Sequence, residues 1–223
     1  MKPRVVALHG FLGRGRDWDA VRAASSADLE WICPDLFAPG APAIGEAPAF
    51  EAKAWLAGYS FGGRLALRWL MCEPQRWHGA LLLSVNPGNF QTDEEREERR
   101  KSDDAWAAAF RSESWEKLMA RWNAQQVFDG SGVLPRQERD FDRAKLAGAL
   151  DRFSVAEEFT DTARLEGDFV WMAGGTDTKF RRLLEEMRVG GFPGSFFAVP
   201  RAGHRLLIDA PAAIAAAVDR LTA

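Results

Sequence analysis

A serine between glycines is the first group in this sequence suited to nucleophilic chemistry. The segment Gly58-Tyr59-Ser60-Phe61-Gly62 lies between a run that predicts a strand, 53–57, and a run that predicts a helix, 61–72. A serine on such a tight turn projects its hydroxyl above the sheet, and glycines beside it avoid clashes with the neighbouring strand and helix. Small residues also cluster at strand-to-helix junctions without any chemistry. The full strand–turn–helix context favours Ser60 as a nucleophile.

Three histidines could serve as the general base: His9, His78 and His204. His204, in Ala-Gly-His, follows the predicted last strand, 195–199, so a loop can carry its imidazole back to Ser60. His78 precedes a predicted strand and is expected at the surface, at the opposite end of the sheet. His9 is expected to order its own loop. We therefore predict His204 as the base, against the alternative of a surface loop histidine.

The acid that orients this base is predicted to be Asp177. It follows the strand 169–173, at the carboxyl end where ligands collect in parallel sheets. Asp168 precedes that strand, and Asp209 follows the histidine. The order serine, acid, histidine is that of α/β-hydrolase-fold enzymes. A carboxylate there holds the imidazole in one tautomer and stabilises its protonated form.

The loop after the first strand supplies a second part of such a site. His9-Gly10-Phe11-Leu12-Gly13 directly follows the apolar run 5–8. In the α/β-hydrolase fold, an oxyanion hole uses one backbone N–H from this loop and one from the residue after the nucleophile. We predict the amides of Phe11 and Phe61 as its donors, each worth about 3 kcal/mol of barrier.

The elements that must position these residues alternate along the chain. Apolar runs at 5–8, 30–33, 53–57, 79–85, 169–173 and 195–199 predict strands, and 61–72, 179–189 and 211–221 predict helices. This alternation predicts an α/β-hydrolase fold, with a mostly parallel sheet and helices on both faces. Residues 86–165 contain no strand-like run and are predicted to form an inserted all-helical cap, between core segments 1–85 and 166–223.

Composition excludes several other classes of protein. The net charge of −3 among 223 residues argues against a nucleic-acid partner. No apolar segment is long enough for a membrane span or signal peptide, so a cytoplasmic protein is expected. Cys33 and Cys72 have no metal-ligand spacing and are expected to be reduced thiols in the core.

Beyond the superfamily motifs, the sequence resembles one family of menaquinone-pathway enzymes, the 2-succinyl-6-hydroxy-2,4-cyclohexadiene-1-carboxylate synthases. The resemblance covers most of the chain in order. It rests on LHGFLGRGRDW (8–18), GYSFGGRLAL (58–67), NPG (86–88), EREERRKSDDAW (95–106), RWNAQQVF (121–128), GGTDTKF (174–180) and RAGH (201–204). The nucleophile and histidine motifs are shared across the superfamily, whereas the cap motifs and the Asp-x-Lys-Phe pattern are more specific.

The resemblance implies a lyase that eliminates pyruvate from a succinyl-bearing cyclohexene carboxylate, without a metal or organic cofactor. The substrate partner would be a small anion, and arginine suits its carboxylates because the guanidinium forms a planar bidentate fork. Family positions match Arg99, Tyr59 and Trp122, and more loosely Arg143. Arg64 lies one helical turn after Ser60 and is also expected near the substrate. Each arginine has the alternative of a solvated helix surface.

Two departures from the family stand out. The segment between Asp35 and Tyr59 is shorter than usual and lacks one sheet-covering helix, so exposed apolar surface there would favour a homodimer. Asn123 also stands where the family often has tyrosine. A carboxylesterase or thioesterase that works through an acyl-enzyme is the alternative activity, and a non-catalytic binding module is a third.

Overall fold

The structure is a computed structural model that describes residues 2–50, 52–90 and 92–223. It is built around a single parallel sheet. Its six strands are β1 (Arg4–Leu8), β2 (Glu30–Ile32), β3 (Ala54–Tyr59), β4 (Trp77–Leu83), β5 (Asp168–Gly174) and β6 (Ser195–Val199). Their order in the sheet is β2-β1-β3-β4-β5-β6, with every neighbouring pair parallel. The predicted fold class is confirmed.

Helices cover both faces of this sheet. They are α1 (Asp19–Ala24), α2 (Phe61–Cys72), α3 (Asp93–Ser112), α4 (Trp115–Asn123), α5 (Arg143–Arg152), α6 (Thr178–Val189), α7 (Leu206–Asp209) and α8 (Pro211–Leu221). Alternate strand residues face two separate apolar cores: Val6 and Leu8 pack with α2 and α6, and Val5 and Ala7 with α1 and α8. Because both faces are buried, these strands read as unbroken apolar runs in the sequence.

The chain between β4 and β5 is helical in its described residues. It contains α3, α4, α5 and several 3₁₀ turns. Phe110 and Leu118 are fully buried, and the ring of Trp115 stacks on Phe141 with centroids 5.6 Å apart. The aromatic residues of this segment pack against one another and, through Phe110 and Trp122, against Phe11 in the loop after β1. The division into a core and a cap at 86 and 165 stays a prediction.

The shortened connector between β2 and β3 folds back on the molecule without an α-helix among its described residues. Leu36 and Phe37 are buried, Trp69 donates a hydrogen bond from Nε1 to the Gly45 carbonyl (2.8 Å), and the Arg4 guanidinium stacks on Phe50. In the described part of the chain, the large exposed apolar side chains all lie elsewhere: Val133, Phe159, Val189 and Phe197. The connector therefore does not supply the apolar surface expected to favour a homodimer.

Two smaller expectations have different outcomes. Cys33 is partly buried, whereas Cys72 is exposed at the end of α2, so the prediction of a core position is wrong for Cys72. His78 is exposed, as predicted, but it is the second residue of β4 and does not precede the strand. Within the three described ranges, no helix combines the length and apolar character that crossing a bilayer requires.

Candidate active site

Ser60 forms the turn between β3 and α2 in a strained backbone conformation. Its φ is 51° and its ψ is −111°, and its N–H donates to the Leu83 carbonyl of β4 (2.8 Å). A non-glycine residue in such a region stores about 1–3 kcal/mol. A Cβ on Gly62 would lie 2.3 Å from the Leu8 carbonyl oxygen, and one on Gly58 would lie 2.5 Å from Gly63 Cα. The glycines around the serine are therefore required by the close approach of β1, β3 and α2.

Asp177 and His204 are brought together from two different strand ends. Asp177 follows β5 and His204 follows β6, and both side chains are buried. The His204 Nδ1–H donates to Asp177 Oδ2 at 2.8 Å, while Asp177 Oδ1 accepts the Phe180 N–H (3.1 Å) at the N-terminus of α6. Because a carboxylate can only accept, the Nδ1 atom carries the proton and Nε2 is left as a base.

Aromatic rings fix the plane of the His204 imidazole. Phe180 packs against it with ring centroids 4.5 Å apart, Phe128 at 5.7 Å and Tyr59 at 5.6 Å. Tyr59 directly precedes Ser60, so the imidazole packs against the residue next to the serine. Burial raises the pKa of the Tyr59 hydroxyl above its ordinary value. The tyrosine is therefore neutral at any physiological pH.

The loop after β1 packs its backbone on the start of α2. The rings of Phe11 and Phe61 lie 6.2 Å apart, and a Cβ on Gly62 would also meet the His9 carbonyl oxygen at 2.5 Å. Leu12 has a φ of 56°, which turns the chain directly after Phe11. The two residues whose amides are predicted to form the oxyanion hole are thus neighbours in space.

His9 orders this loop from inside the protein. It is fully buried; its Nδ1–H donates to the Gly10 carbonyl (2.8 Å) and its Nε2 accepts the Leu36 N–H (2.9 Å). Burial lowers the pKa of His9 to about 4. The imidazole is therefore neutral and both its nitrogens are occupied, which agrees with a structural role.

Two cavities are lined by residues that contact or adjoin His204, although His204 itself lines neither. The outer cavity has a volume of about 750 Å³, and its wall includes Asp177, Arg99, Lys179 and Arg182. The inner cavity has a volume of about 60 Å³ and is lined by Phe11, Tyr59, Trp122, Phe128, Arg136 and Arg205, among others. Tyr59 and Phe128, which pack against the imidazole, line the inner cavity, and Asp177, which accepts its hydrogen bond, lines the outer one.

Charges on the outer cavity are mixed. Its cations share the wall with Glu95, Glu98 and Asp129. Arg99 donates from Nε to both carboxylate oxygens of the buried Asp103 (2.9 Å each). The pKa of Lys179 lies below its ordinary value because its ammonium is partly desolvated and faces the Arg99 guanidinium. An anion between Lys179 and Arg99 would relieve this repulsion.

The structure corrects the role predicted for Arg64. Its guanidinium is buried in an ion pair with Glu158 (Nη1 to Oε1, 3.0 Å) and also donates to the Phe153 carbonyl (2.5 Å). It lines neither the inner nor the outer cavity. Its position one turn after Ser60 places it against the segment that follows α5, so it holds α2 to that segment.

Arg143 is corrected for a similar reason. Its guanidinium donates to the carbonyls of Phe110 and Glu113 (2.6 Å each), at the end of α3, and pairs with Glu138 (2.9 Å). These donors satisfy the last carbonyls of a helix, a common use of arginine. Arg143 therefore fastens α5 to the C-terminus of α3. Arg99, Tyr59 and Trp122 do line the cavities.

Several cations at the site were missed at the level of sequence. Lys179 and Arg182 lie in the first turns of α6, just after Asp177, and the Asp-x-Lys-Phe pattern already contained the lysine. Arg205 directly follows His204, a signal that adjacency alone could have provided. Arg136 lies in an irregular segment, and nothing in its local sequence marked it.

Comparison with known proteins places this geometry in context. The family model described as the alpha/beta hydrolase family matches residues 5–217. The chain belongs to the alpha/beta hydrolase family. A curated relative from Escherichia coli O1:K1, 2-succinyl-6-hydroxy-2,4-cyclohexadiene-1-carboxylate synthase, is 31% identical over 98% of this chain and 93% of its own length. The protein of that name from Shigella flexneri serotype 5b is 30% identical over the same shares.

Solved structures of this family share the fold. MenH from S. aureus superposes with a TM-score of 0.80 at 22% identity, over 97% of this chain and 91% of that one. A thermophilic esterase from Thermogutta terrifontis gives a TM-score of 0.68 at 20% identity, over 99% and 89%. The alpha/beta hydrolase scaffold is thus common to relatives with different activities, and fold alone does not choose among them.

Proposed function

We propose that this protein is a lyase that eliminates pyruvate from a succinyl-cyclohexene carboxylate, the step of menaquinone biosynthesis for which its relatives are named. Similarity to the 2-succinyl-6-hydroxy-2,4-cyclohexadiene-1-carboxylate synthases over 98% of the chain is the observation that carries this choice of reaction. The cations that line both cavities support an anionic substrate.

Ser60, His204 and Asp177 would provide the base. His204 Nε2 takes the proton of the Ser60 hydroxyl, because Nδ1 is held by Asp177 at 2.8 Å. The serine oxygen then removes a proton from the substrate carbon and becomes a hydroxyl again, which leaves an enolate on the substrate. When the enolate collapses, its electron pair forms the new ring double bond and the carbon–oxygen bond to the enolpyruvate unit breaks. The imidazolium gives its proton to the departing enolpyruvate, which tautomerises to pyruvate. Asp177 stabilises the imidazolium while this happens.

The Phe11 and Phe61 amides would stabilise the anion formed by this proton removal. An enolate oxygen placed above Ser60 meets both donors, which are held by the packing of the β1 loop on α2. Preorganised donors need no reorganisation as charge develops, and each contributes about 3 kcal/mol. Arg99 and Lys179 would bind carboxylates of the substrate in the outer cavity.

The test is the elimination reaction itself with purified protein. Pyruvate release is followed by the NADH oxidation of added lactate dehydrogenase, and ring desaturation by ultraviolet absorbance. Ser60→Ala is expected to lower kcat by about 10⁴-fold or more, as expected when the group that starts proton transfer is removed. A background rate with the wild-type protein would overturn the proposal.

Ser84→Ala is the matched control for that variant. Ser84 follows the neighbouring strand β4 and also has a positive φ, 47°, but its hydroxyl is buried and faces the His204 carbonyl oxygen at 3.4 Å. We expect Ser84→Ala to keep kcat within about tenfold, since that contact is longer than a strong hydrogen bond. An equal loss in both variants would point to damaged folding.

Acyl transfer is the second candidate, because a strained serine, a histidine base and two amide donors are also the parts of an esterase. A short-chain aryl ester would then give a burst of product equal to one per enzyme, absent in Ser60→Ala. A burst followed by continued hydrolysis of the ester, together with no pyruvate release, favours the esterase. Slow or absent acylation with rapid elimination favours the lyase.

A further inference from the structure

Arg205 lies beside the base without belonging to the machinery described above. It follows His204 directly, and its guanidinium is on the wall of the inner cavity. Nη2 donates to Asn123 Oδ1 (2.6 Å), Nη1 donates to the Gly132 carbonyl (2.8 Å), and the guanidinium carbon lies 4.0 Å from the centre of the Phe128 ring. These contacts hold the guanidinium in one orientation.

The two cations of the inner cavity differ in their partners. Arg136 forms a bidentate pair with Asp17, at 2.9 and 2.6 Å, so its charge is neutralised within the protein. Arg205 binds only neutral oxygens, and in the described parts of the chain no carboxylate lies within salt-bridge distance of it. The inner cavity therefore has one cation that forms no ion pair with a described residue.

Asp209, the acidic residue near Arg205, accepts hydrogen bonds from other groups and does not pair with the guanidinium. Asp209 Oδ2 accepts the Ser131 hydroxyl (2.7 Å) and the Gly203 N–H (2.9 Å). Burial lowers the pKa of Arg205, the charge of Arg136 lowers it further, and the charge of Asp209 opposes these effects. A half-buried guanidinium in this state is stabilised by an anion that enters the cavity.

The size and walls of the inner cavity limit what that anion can be. A volume of about 60 Å³ admits a few water molecules or one small substituent, not a whole ring. Phe11, Trp122 and Phe128 supply apolar walls, so a charged group inside is poorly hydrated and its hydrogen bonds to a cation are strengthened. A single carboxylate fits these requirements.

We propose that Arg205 is a specificity-determining residue that binds one carboxylate of the substrate, or of released pyruvate, in the inner cavity. The assignment to this substrate rests on the proposed function. Asn123 positions the guanidinium from the end of α4; it stands where the resembling family often has tyrosine. The Arg205–Asn123 pair thus gives this chain a carboxylate site at the edge of His204.

The test measures carboxylate binding without turnover. In a Ser60→Ala background, pyruvate and its neutral analogue methyl pyruvate are titrated by ligand-observed NMR. Arg205→Met is expected to weaken pyruvate binding by about 10- to 100-fold, the range for a lost charge-assisted contact, and to change methyl pyruvate binding less than threefold. Arg205→Lys keeps the positive charge but not the planar, bidentate geometry of the guanidinium, so an intermediate loss of pyruvate affinity is expected.

Arg96→Met is the matched control. The Arg96 guanidinium also donates to two neutral carbonyls, of Ala156 and Gly88 (3.0 Å each), but lies outside both cavities. It should leave pyruvate binding unchanged. Asn123→Ala, which frees the guanidinium without removing it, should weaken pyruvate binding about 3- to 10-fold and keeps the test open if Arg205→Met does not fold.

Two results would overturn the inference: equal weakening of pyruvate and methyl pyruvate by Arg205→Met, or no weakening of either. The first would give Arg205 a structural role only. Failure of the proposed function is distinguishable, because it would abolish pyruvate production in the Ser60-containing enzyme while charge-selective binding in the Ser60→Ala protein still depended on Arg205. In the active enzyme, Arg205→Met should raise KM more than it lowers kcat.

Discussion

Replacing Asp177 by asparagine or alanine separates two tasks of one carboxylate. Oδ2 accepts the His204 Nδ1–H (2.8 Å), and Oδ1 accepts the Phe180 N–H (3.1 Å) as the N-cap of α6. In Asp177→Asn the amide oxygen can keep the helix cap, since asparagine is a good N-cap residue. Its NH₂ group then faces Nδ1 and moves the imidazole proton to Nε2, where the base is needed.

The expected magnitudes follow from these contacts. Asp177→Asn should lower kcat by about 10³- to 10⁴-fold through the wrong tautomer, and change the free energy of unfolding by less than about 1 kcal/mol. Asp177→Ala also loses the cap, about 1 kcal/mol, and leaves the His204 N–H unpaired, about 1–3 kcal/mol. The total loss of about 2–4 kcal/mol should lower its Tm by roughly 4–16 °C, at about 2–4 °C per kcal/mol.

The assay combines steady-state pyruvate release with urea unfolding of the wild type and both variants. We expect both variants to lose activity and only Asp177→Ala to lose stability. If Asp177→Asn kept kcat within tenfold of the wild type, Asp177 would not orient the base. If asparagine destabilised the protein as much as alanine, the account of the helix cap would be wrong.

Three further predictions concern stability and are checked by chemical unfolding. Arg64→Met should lower the free energy of unfolding by about 3–5 kcal/mol, because it leaves the Glu158 carboxylate buried and unpaired. Adding Glu158→Leu to Arg64→Met should restore most of the lost stability. If the double variant recovered none, the ion-pair explanation would be wrong. Gly62→Ala should be strongly destabilising because its Cβ meets the Leu8 carbonyl oxygen. Gly148→Ala in α5 has room for the methyl group and should stabilise the protein by up to about 1 kcal/mol. Equal effects of the two substitutions would refute the argument that β1 and α2 approach too closely for a side chain at Gly62. The pKa of His9 in the folded protein, about 4, lies below the ordinary 6.5, so the unfolded chain binds the extra proton and stability falls as the pH drops from 6.5 towards 4. Between pH 7.5 and 5 the wild type should lose about 2 kcal/mol more free energy of unfolding than His9→Gln. Parallel pH profiles of the two proteins would exclude this cause.

Much of the fold could be predicted because its signals are local. Parallel strands buried on both faces must be continuously apolar, and the helices between them end at glycine, proline or capping residues. The predicted bounds of α2 (Phe61–Cys72), β6 (Ser195–Val199) and α8 (Pro211–Leu221) match the structure, and the others differ by a few residues. The structure of the connector after β2 was not predictable in the same way, since it has no periodic pattern.

The three candidate catalytic residues could be predicted from the sequence because each follows the carboxyl end of a strand. They are Ser60, Asp177 and His204. In a parallel sheet all strand ends of one kind meet at one edge, so position in the chain already implies proximity. The contact between Asp177 and His204 follows from that rule. Their catalytic roles are proposals that the predicted kinetics test.

The long cationic side chains were decided by the tertiary structure. An arginine reaches several ångströms from its Cα, and its charge is used by whichever acceptor the fold brings within reach. Arg64 pairs with Glu158, Arg143 donates to carbonyls at the end of α3, and Arg136 pairs with Asp17. All of these partners are distant in sequence.

The amino-acid sequence by itself determined the sheet, the serine turn and the strand ends that carry the acid and the base, since these depend on short-range patterns of size and polarity. Only the tertiary structure decided which cations face a cavity and which are already neutralised, because electrostatic pairing depends on distances between remote segments. Arg205 is the clearest case: its place after His204 is visible in the sequence, but the absence of an ion pair with any described residue is visible only in the fold.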